Sequence, residues 1–211
     1  MKGMENGMKM VRAGMAGLLL LTGLWAQASA VAGPDAVIRK TADEVIAAVK
    51  ADKAIQSGDR TSAYKLIDQK VLPHFDFERM TRLAVGRNWR QAAPEQQKQL
   101  VGGFRDLLVR TYASSLSQYK DQVVQIKGTD AQPGDAEAVV HTLIVPSGGQ
   151  SIPIDYSMEK ANDDWKVYDI RVDGVSLVTN YRSEFTDIVR RSGVDGLIKA
   201  LEEKSRAAEK K

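Results

Sequence analysis

The search for chemistry in this 211-residue sequence centres on His74, His141, Asp155 and Asp169. The chain has two histidines and no cysteine. Neither histidine sits in a metal-ligand spacing such as H-E-x-x-H. A metal site would need both of them, plus carboxylates gathered by folding. His74 falls at an expected helix joint, and His141 in an expected strand between Val140 and Thr142. Asp155 and Asp169 are the stronger enzyme candidates, because they lie in expected neighbouring strands. In a small cone-shaped α+β fold, a buried strand Asp beside a Tyr can abstract a proton. Alternation, however, puts each Asp on the face opposite its strand's main apolar row. There, near Lys166 and Arg171, it reads more simply as part of a solvated cross-strand ion pair. No G-x-S-x-G, P-loop or dinucleotide fingerprint occurs.

The elements that must position these residues centre on Trp165–Phe185. The stretch opens as a strand, with Tyr168, Ile170 and Val172 on one face at period two. Gly174 breaks it, and Leu177, Tyr181, Phe185 and Ile188 then recur at helical spacing. Upstream, Pro34-Asp35 opens a helix striped by Ile38, Ala42, Val45 and Val49. A second helix over 61–72 carries Tyr64, Ile67 and Val71 and stops at Pro73. Val71–Phe77 is a joint, with Asp76 as N-cap of a helix bearing Met80, Leu83 and Ala84. A long helix from Ala93 to about Tyr119 presents a wide stripe: Leu100, Phe104, Leu107, Leu108, Thr111, Tyr112 and Leu116. Gly102-Gly103 inside it costs about 1 kcal/mol per glycine and marks a close approach, by a helix or by a ligand.

Strands follow at 123–127, 138–145, 151–160 and 165–173. Ile152, Ile154, Tyr156 and Met158 share one face of the third. Ser192-Gly193 then separates the helix over 177–190 from a last one over 194–204. The expected fold is α+β: a twisted antiparallel meander of about four strands with helices on one face. The helical part spans about 34–119, the sheet about 122–173 and the C-terminal helices about 177–204. The apolar rows fit ordinary core or the walls of a ligand pocket, and periodicity alone does not separate the two.

The first thirty residues read as a cleaved secretory signal peptide. Lys2, Lys9 and Arg12 form the basic region, Ala13–Ala26 the apolar region, and Ala28-Ser29-Ala30 a small-residue cleavage site. The apolar run is short for a membrane span of ~20 residues. Residues 31–211 then form a single domain. The absence of cysteine excludes disulfides, thiolate metal sites and lipid attachment at a cysteine. The net charge of +3 falls to +1 without residues 1–30, which hold three basic residues and Glu5. That is no nucleic-acid footprint.

The Trp165–Phe185 stretch also resembles the signature of the MlaC-like periplasmic phospholipid carriers, the toluene-tolerance auxiliary family. Further marks are Pro73-x-Phe75-Asp76, Leu83-x-x-Gly86-x-x-Trp89, Phe104-x-x-Leu107-Leu108-x-x-Thr111-Tyr112 and Ile152-Pro153-Ile154-Asp155-Tyr156. Together they span roughly residues 34–204. The resemblance implies a non-enzymatic carrier, without a cofactor, that encloses acyl chains between sheet and helices. It implies a periplasmic shuttle maintaining outer-membrane lipid asymmetry. Its partners would be an inner-membrane ABC transporter complex with its substrate-binding membrane component, and an outer-membrane lipoprotein complex. No motif of the family assigns residue roles. The expected walls therefore come from alternation: Ile152, Ile154, Tyr156, Met158, Tyr168, Ile170 and Val172 from the sheet, and Phe104, Leu107, Leu108, Tyr112, Tyr181 and Phe185 from the helices. Arg171 and Arg182 flank the strand–helix corner and are candidates for a head-group phosphate. A small periplasmic enzyme using Asp155 or Asp169 is the competing expectation.

Overall fold

The chain's helices begin where proline and short acidic side chains put them. The structure, a computed structural model, describes residues 32–118, 121–132, 134–162 and 164–210. The expected signal peptide lies outside these. Helix α1 (Pro34–Ala51) starts on Pro34, which has no N–H to leave unpaired, and buries Val37, Ile38 and Val49. The expected loop around 56–60 is in part helical, as the short α2 (Lys53–Gln56) capped by Asp52. Asp59 caps α3 (Arg60–Lys70), and Pro73 sits in a 3-10 turn, Leu72–His74. Asp76 is the N-cap of α4 (Phe77–Val85): its carboxylate accepts the Arg79 N–H at 2.7 Å. Gly86 ends α4 at φ 63°, ψ −136°, a conformation that needs glycine. A 3-10 turn over Gly86–Gln91 leads to α5 (Pro94–Tyr112). The expected long helix stops at Tyr112 and resumes as α6 (Ser114–Ser117).

The sheet is a meander of β1 (Val123–Asp130), β2 (Glu137–Val145), β3 (Ile152–Ala161), β4 (Asp164–Val172) and β5 (Val175–Ser176), all antiparallel. It has five strands rather than about four. The fifth follows from Asp173-Gly174, both at positive φ (51° and 79°), which turn the chain so that Val175 pairs with Val172. A two-residue turn of this kind matches the twist of its flanking strands. Helix α7 (Leu177–Glu209) leaves β5 directly and is interrupted at Gly193 (φ 70°, ψ −174°), at the expected break.

Register sorts the sheet's side chains. One face carries Thr142 and Ile144 of β2, the β3 row Ile152–Met158, and Val167, Ile170 and Val172 of β4. The pairing shifts between Ser157 and Met158, so that Ser157 faces Asp169 and Met158 faces Val167. Tyr168 is the extra residue of this bulge and does not join the Ile170–Val172 row, contrary to the period-two expectation. The opposite face carries His141, Asp155 and Arg171 in register.

Two main cores result. Val37 and Ile38 of α1 pack over Ala138, Val140, Met158, Trp165 and Val167 of the sheet. Helices α4, α5 and α7 make a separate core around Met80, Leu100, Phe104, Phe185, Leu197 and Leu201. The residues under α1 and those facing α3–α6 lie on the same face of the sheet, at different places along it. Helix α1 lies against β1 and β2, whereas α4 and α7 meet the sheet along β4.

Candidate ligand-binding chamber

The two cores leave a chamber of about 530 Å³ between them. Its sheet wall is Ile144, Ile152, Ile154, Tyr156, Ile170 and Val172. Facing these are Ile67 of α3 and Val71 just after it, Phe77 and Met80 of α4, Leu108, Val109 and Tyr112 of α5, and Ser115 and Leu116 of α6. Leu72 and Phe75 from the joint, and Leu177 at the start of α7, complete it. Among the described residues, no charged side chain lines the chamber; the polar ones are Ser115, Tyr112 and Tyr156. Burial raises the Tyr156 phenol above its ordinary pKa, opposed by a hydrogen bond with Thr142. The Thr142 hydroxyl donates to the Ile154 carbonyl at 2.9 Å, so its own donor is spent on the backbone. At the rim, Tyr112 and Ile152 stay 43% and 45% exposed, unusual for such large apolar side chains.

The joint pins one side of the chamber. Phe75 forms a parallel bridge with Val167, and the Asp76 N–H donates to the Val167 carbonyl at 2.9 Å. Lys166 adds a hydrogen bond to the Pro73 carbonyl at 2.7 Å. Just beyond, Arg79 reaches back to Glu137 and Glu159 on the sheet and lies 3.6 Å over the Tyr168 ring. An Arg with two carboxylates and an aromatic face is held on every side.

The structure distributes the expected wall residues among four places. Leu108, Tyr112, Ile152, Ile154, Tyr156, Ile170 and Val172 line the chamber. Phe104 and Phe185 are sealed in the helical core, ring to ring at 5.2 Å, and Met158 is sealed under α1. Tyr168 packs against the helical core with its hydroxyl 3.3 Å from Glu137. Leu107 and Tyr181 border a different recess, of about 370 Å³, with Arg60, Arg110 and Lys204 around it. Neither Arg171 nor Arg182 lines the chamber. Arg171 lies on the opposite sheet face, across from Asp155. The Arg182 guanidinium rests on Gly86, where a Cβ would come within 3.1 Å of its Nε.

Alternation missed the α3 residues and the joint. Val71, Leu72, Phe75 and Phe77 crowd the seven residues from the end of α3 to the start of α4, and so many large apolar side chains at a joint are themselves a sign of a lined cavity.

The candidate acids are occupied elsewhere. Asp169 is buried, not a solvated ion pair; its carboxylate accepts the Ser176 hydroxyl at 2.6 Å and the Val178 N–H at 3.1 Å. Lys166 pairs with Asp164 rather than with it. Asp155 bonds His141 Nδ1 at 2.8 Å, and Asp130 bonds Nε2 at 2.9 Å. Hydrogen bonds to Asp130 and then Asp155 raise the His141 pKa. With its two nitrogens engaged on opposite sides, that ring has neither nitrogen free for a substrate. Among the described residues, no group of three or more His, Cys, Asp or Glu is placed to hold a metal ion.

The family model described as MlaC protein matches residues 39–203, from α1 to the last turns of α7. The chain belongs to the MlaC family. Two curated relatives agree with this. The toluene tolerance protein ttg2D of Pseudomonas putida is 24% identical over 163 residues, 77% of this chain and 75% of that one. The intermembrane phospholipid transport system binding protein MlaC of Haemophilus influenzae is 23% identical over 180 residues, 83% of this chain and 84% of that one. Among solved structures, the chain resembles a phospholipid-binding protein from Ralstonia solanacearum in complex with a phospholipid. The two share 38% identity and a TM-score of 0.80, over 84% of this chain and 99% of the other. The apolar chamber lies within the matched region.

Proposed function

We propose that this MlaC-family protein is a phospholipid carrier rather than an enzyme, and that the chamber between sheet and helices holds acyl chain. The observation that carries this is the chamber's lining: about 530 Å³ walled almost wholly by aliphatic and aromatic side chains, with no charge among the described residues that line it. The Ralstonia relative, described as bound to a phospholipid, supports the same reading.

The physics of the task fits such a site. A diacyl phospholipid has roughly 30 methylenes, and exposing them to water costs on the order of 25 kcal/mol at ~0.8 kcal/mol each. Unassisted crossing of an aqueous space is therefore very slow. A carrier must bury chains about as well as a bilayer does, and no better, or release fails. Walls without charged or strongly directional contacts meet that condition and stay indifferent to head group. The protein, cleaved after its signal peptide, acts as a soluble periplasmic shuttle. It exchanges lipid with an outer-membrane lipoprotein complex and with the membrane-bound substrate-binding component of an inner-membrane ABC transporter. In this way it maintains outer-membrane lipid asymmetry. Among the described residues, no helix is long and apolar enough to cross a membrane.

Native mass spectrometry of protein purified without detergent, followed by lipid extraction, tests the reading. A co-purifying mass matching phosphatidylethanolamine or phosphatidylglycerol is expected. A lipid-free mass, with no uptake from vesicles of those lipids, would sink it.

A further inference from the structure

Along β3 the chamber comes to a close. Ile152, Ile154, Tyr156 and Met158 stand on one face of that strand, and exposure falls from 45% at Ile152 on the rim to 0% at Met158. The first three line the chamber, whereas Met158 belongs to the core under α1. Tyr156 is therefore the last chamber residue of the row. Ile170 is its partner across the β3–β4 pairing, and Phe75 is bridged to Val167. Tyr156, Ile170 and Phe75 line the chamber and also pack against the core of Val140, Met158 and Val167. They form a partition between the two.

Tyr156 is anchored in that partition. Thr142 spends its hydroxyl proton on the Ile154 carbonyl at 2.9 Å, so the Tyr156 hydroxyl donates to Thr142 and fixes the ring across the sheet. A rise of about 3.3 Å per residue puts Tyr156 about 13 Å along β3 from Ile152. The hydrocarbon of one bilayer leaflet is about 15 Å deep, half of a ~30 Å core. A chain that enters at the rim and runs along β3 thus brings its end to Tyr156. Behind the ring lies Met158, unbranched and able to repack when a neighbour shrinks.

We infer that Tyr156 is the stop against which acyl-chain ends rest, and that its size sets the length of chain this protein accepts. The inference rests on the carrier reading and names the residue that gives that site its selectivity. It holds for each chain that runs along β3, whatever the number of chains bound. Methylenes beyond the stop stay in water, whereas the donor bilayer buries them. Each one therefore lowers uptake about fourfold.

Delipidated protein is incubated with fluid vesicles holding equal amounts of phosphatidylethanolamines. Their monounsaturated chains lengthen two carbons at a time, from myristoleoyl to erucoyl. Native mass spectrometry reads the share of each lipid bound. Wild type is expected to show a limiting length, beyond which its share falls about fourfold per methylene. Tyr156→Ala should raise that limit by at least two carbons. Tyr156→Trp should lower it, which tests the stop even where the alanine variant fails to fold. Tyr156→Phe, which keeps the ring, and Ile152→Ala, which trims only the rim, should leave the limit in place. Circular dichroism matching wild type qualifies each variant. A limit that stays put in the folded Tyr156→Ala or Tyr156→Trp protein would overturn the inference. So would an equal shift in Ile152→Ala, or a wild type with no limit in the series. Failure of wild type to take up any of these lipids would sink the carrier reading itself.

Discussion

The Asp169 carboxylate accepts the backbone N–H of Val178 at 3.1 Å, across the β4–β5 turn and nine residues along the chain. Its other oxygen takes the Ser176 hydroxyl, which in turn accepts the Thr179 N–H at 3.0 Å. A strand side chain thereby supplies part of the cap of α7, whose first N–H groups have no intrahelical partners. Asp169→Ala leaves a buried N–H unpaired and is expected to cost about 1–3 kcal/mol, read from urea unfolding. The fraction that folds should retain its lipid. A fully folded Asp169→Asn protein that kept its lipid content but lost function would instead favour an enzyme.

The paired glycines of α5 separate by environment. At Gly103 a Cβ would stand 3.2 Å from Leu201 Cβ, whereas Gly102 has nothing within 4 Å. Gly102→Ala should stabilise by roughly 0.5–1 kcal/mol, since alanine loses less backbone freedom. Gly103→Val should destabilise by about 1–3 kcal/mol by forcing α5 from α7. Thermal unfolding of the two variants that moved in the same direction would contradict this assignment.

The two histidines push stability in opposite directions with pH. Carboxylates hold the His141 pKa above its ordinary value near 6.5, while burial holds that of His74 below it. His141 therefore contributes stability that is fully present below about pH 6.5 and fades as pH rises through its raised folded value. His74 does the reverse: its folded neutral form is penalised as pH falls below about 6.5. Urea midpoints at about pH 5.5 and about pH 8.5 should show His141→Gln losing most at the acidic end. His74→Gln should gain there relative to wild type.

Filling the chamber and emptying the core should have separable effects. Ile154 lines the chamber, whereas Phe104 is sealed against Tyr181 and Phe185. Ile154→Trp should strip co-purifying lipid with a stability change under about 1.5 kcal/mol. Phe104→Ala should cost about 3–5 kcal/mol while the folded protein still carries lipid. Lipid extraction beside chemical unfolding distinguishes the two.

Much of this was legible in the residues. Asp76 announced a cap, Pro94 a helix start, and Ser192-Gly193 a break, because each is a local device with a local cause. The fifth strand was also written in Asp173-Gly174, but a glycine after a strand reads as a stop unless the turn's twist is weighed. The slip of Tyr168 out of the Ile170–Val172 row was not legible. A bulge depends on the partner strand, and nothing in β4's own alternation reports it. The same limit divided the expected wall. Met158 and Ile154 lie on one face at the correct period, yet α1 covers one and not the other. Periodicity identifies a buried face, and only tertiary packing says what buries it.

The separation of the sheet core from the helical core has a consequence for handling this protein. The chamber lies where those two cores would otherwise meet, so whatever fills it becomes mortar between them. Any ligand bound only by the folded state stabilises that state by mass action. Here it also adds to the apolar contact that Phe75 makes with both cores. Melting temperature should then act as a fuel gauge: preparations of one sequence would melt at different temperatures according to how much cargo each carries.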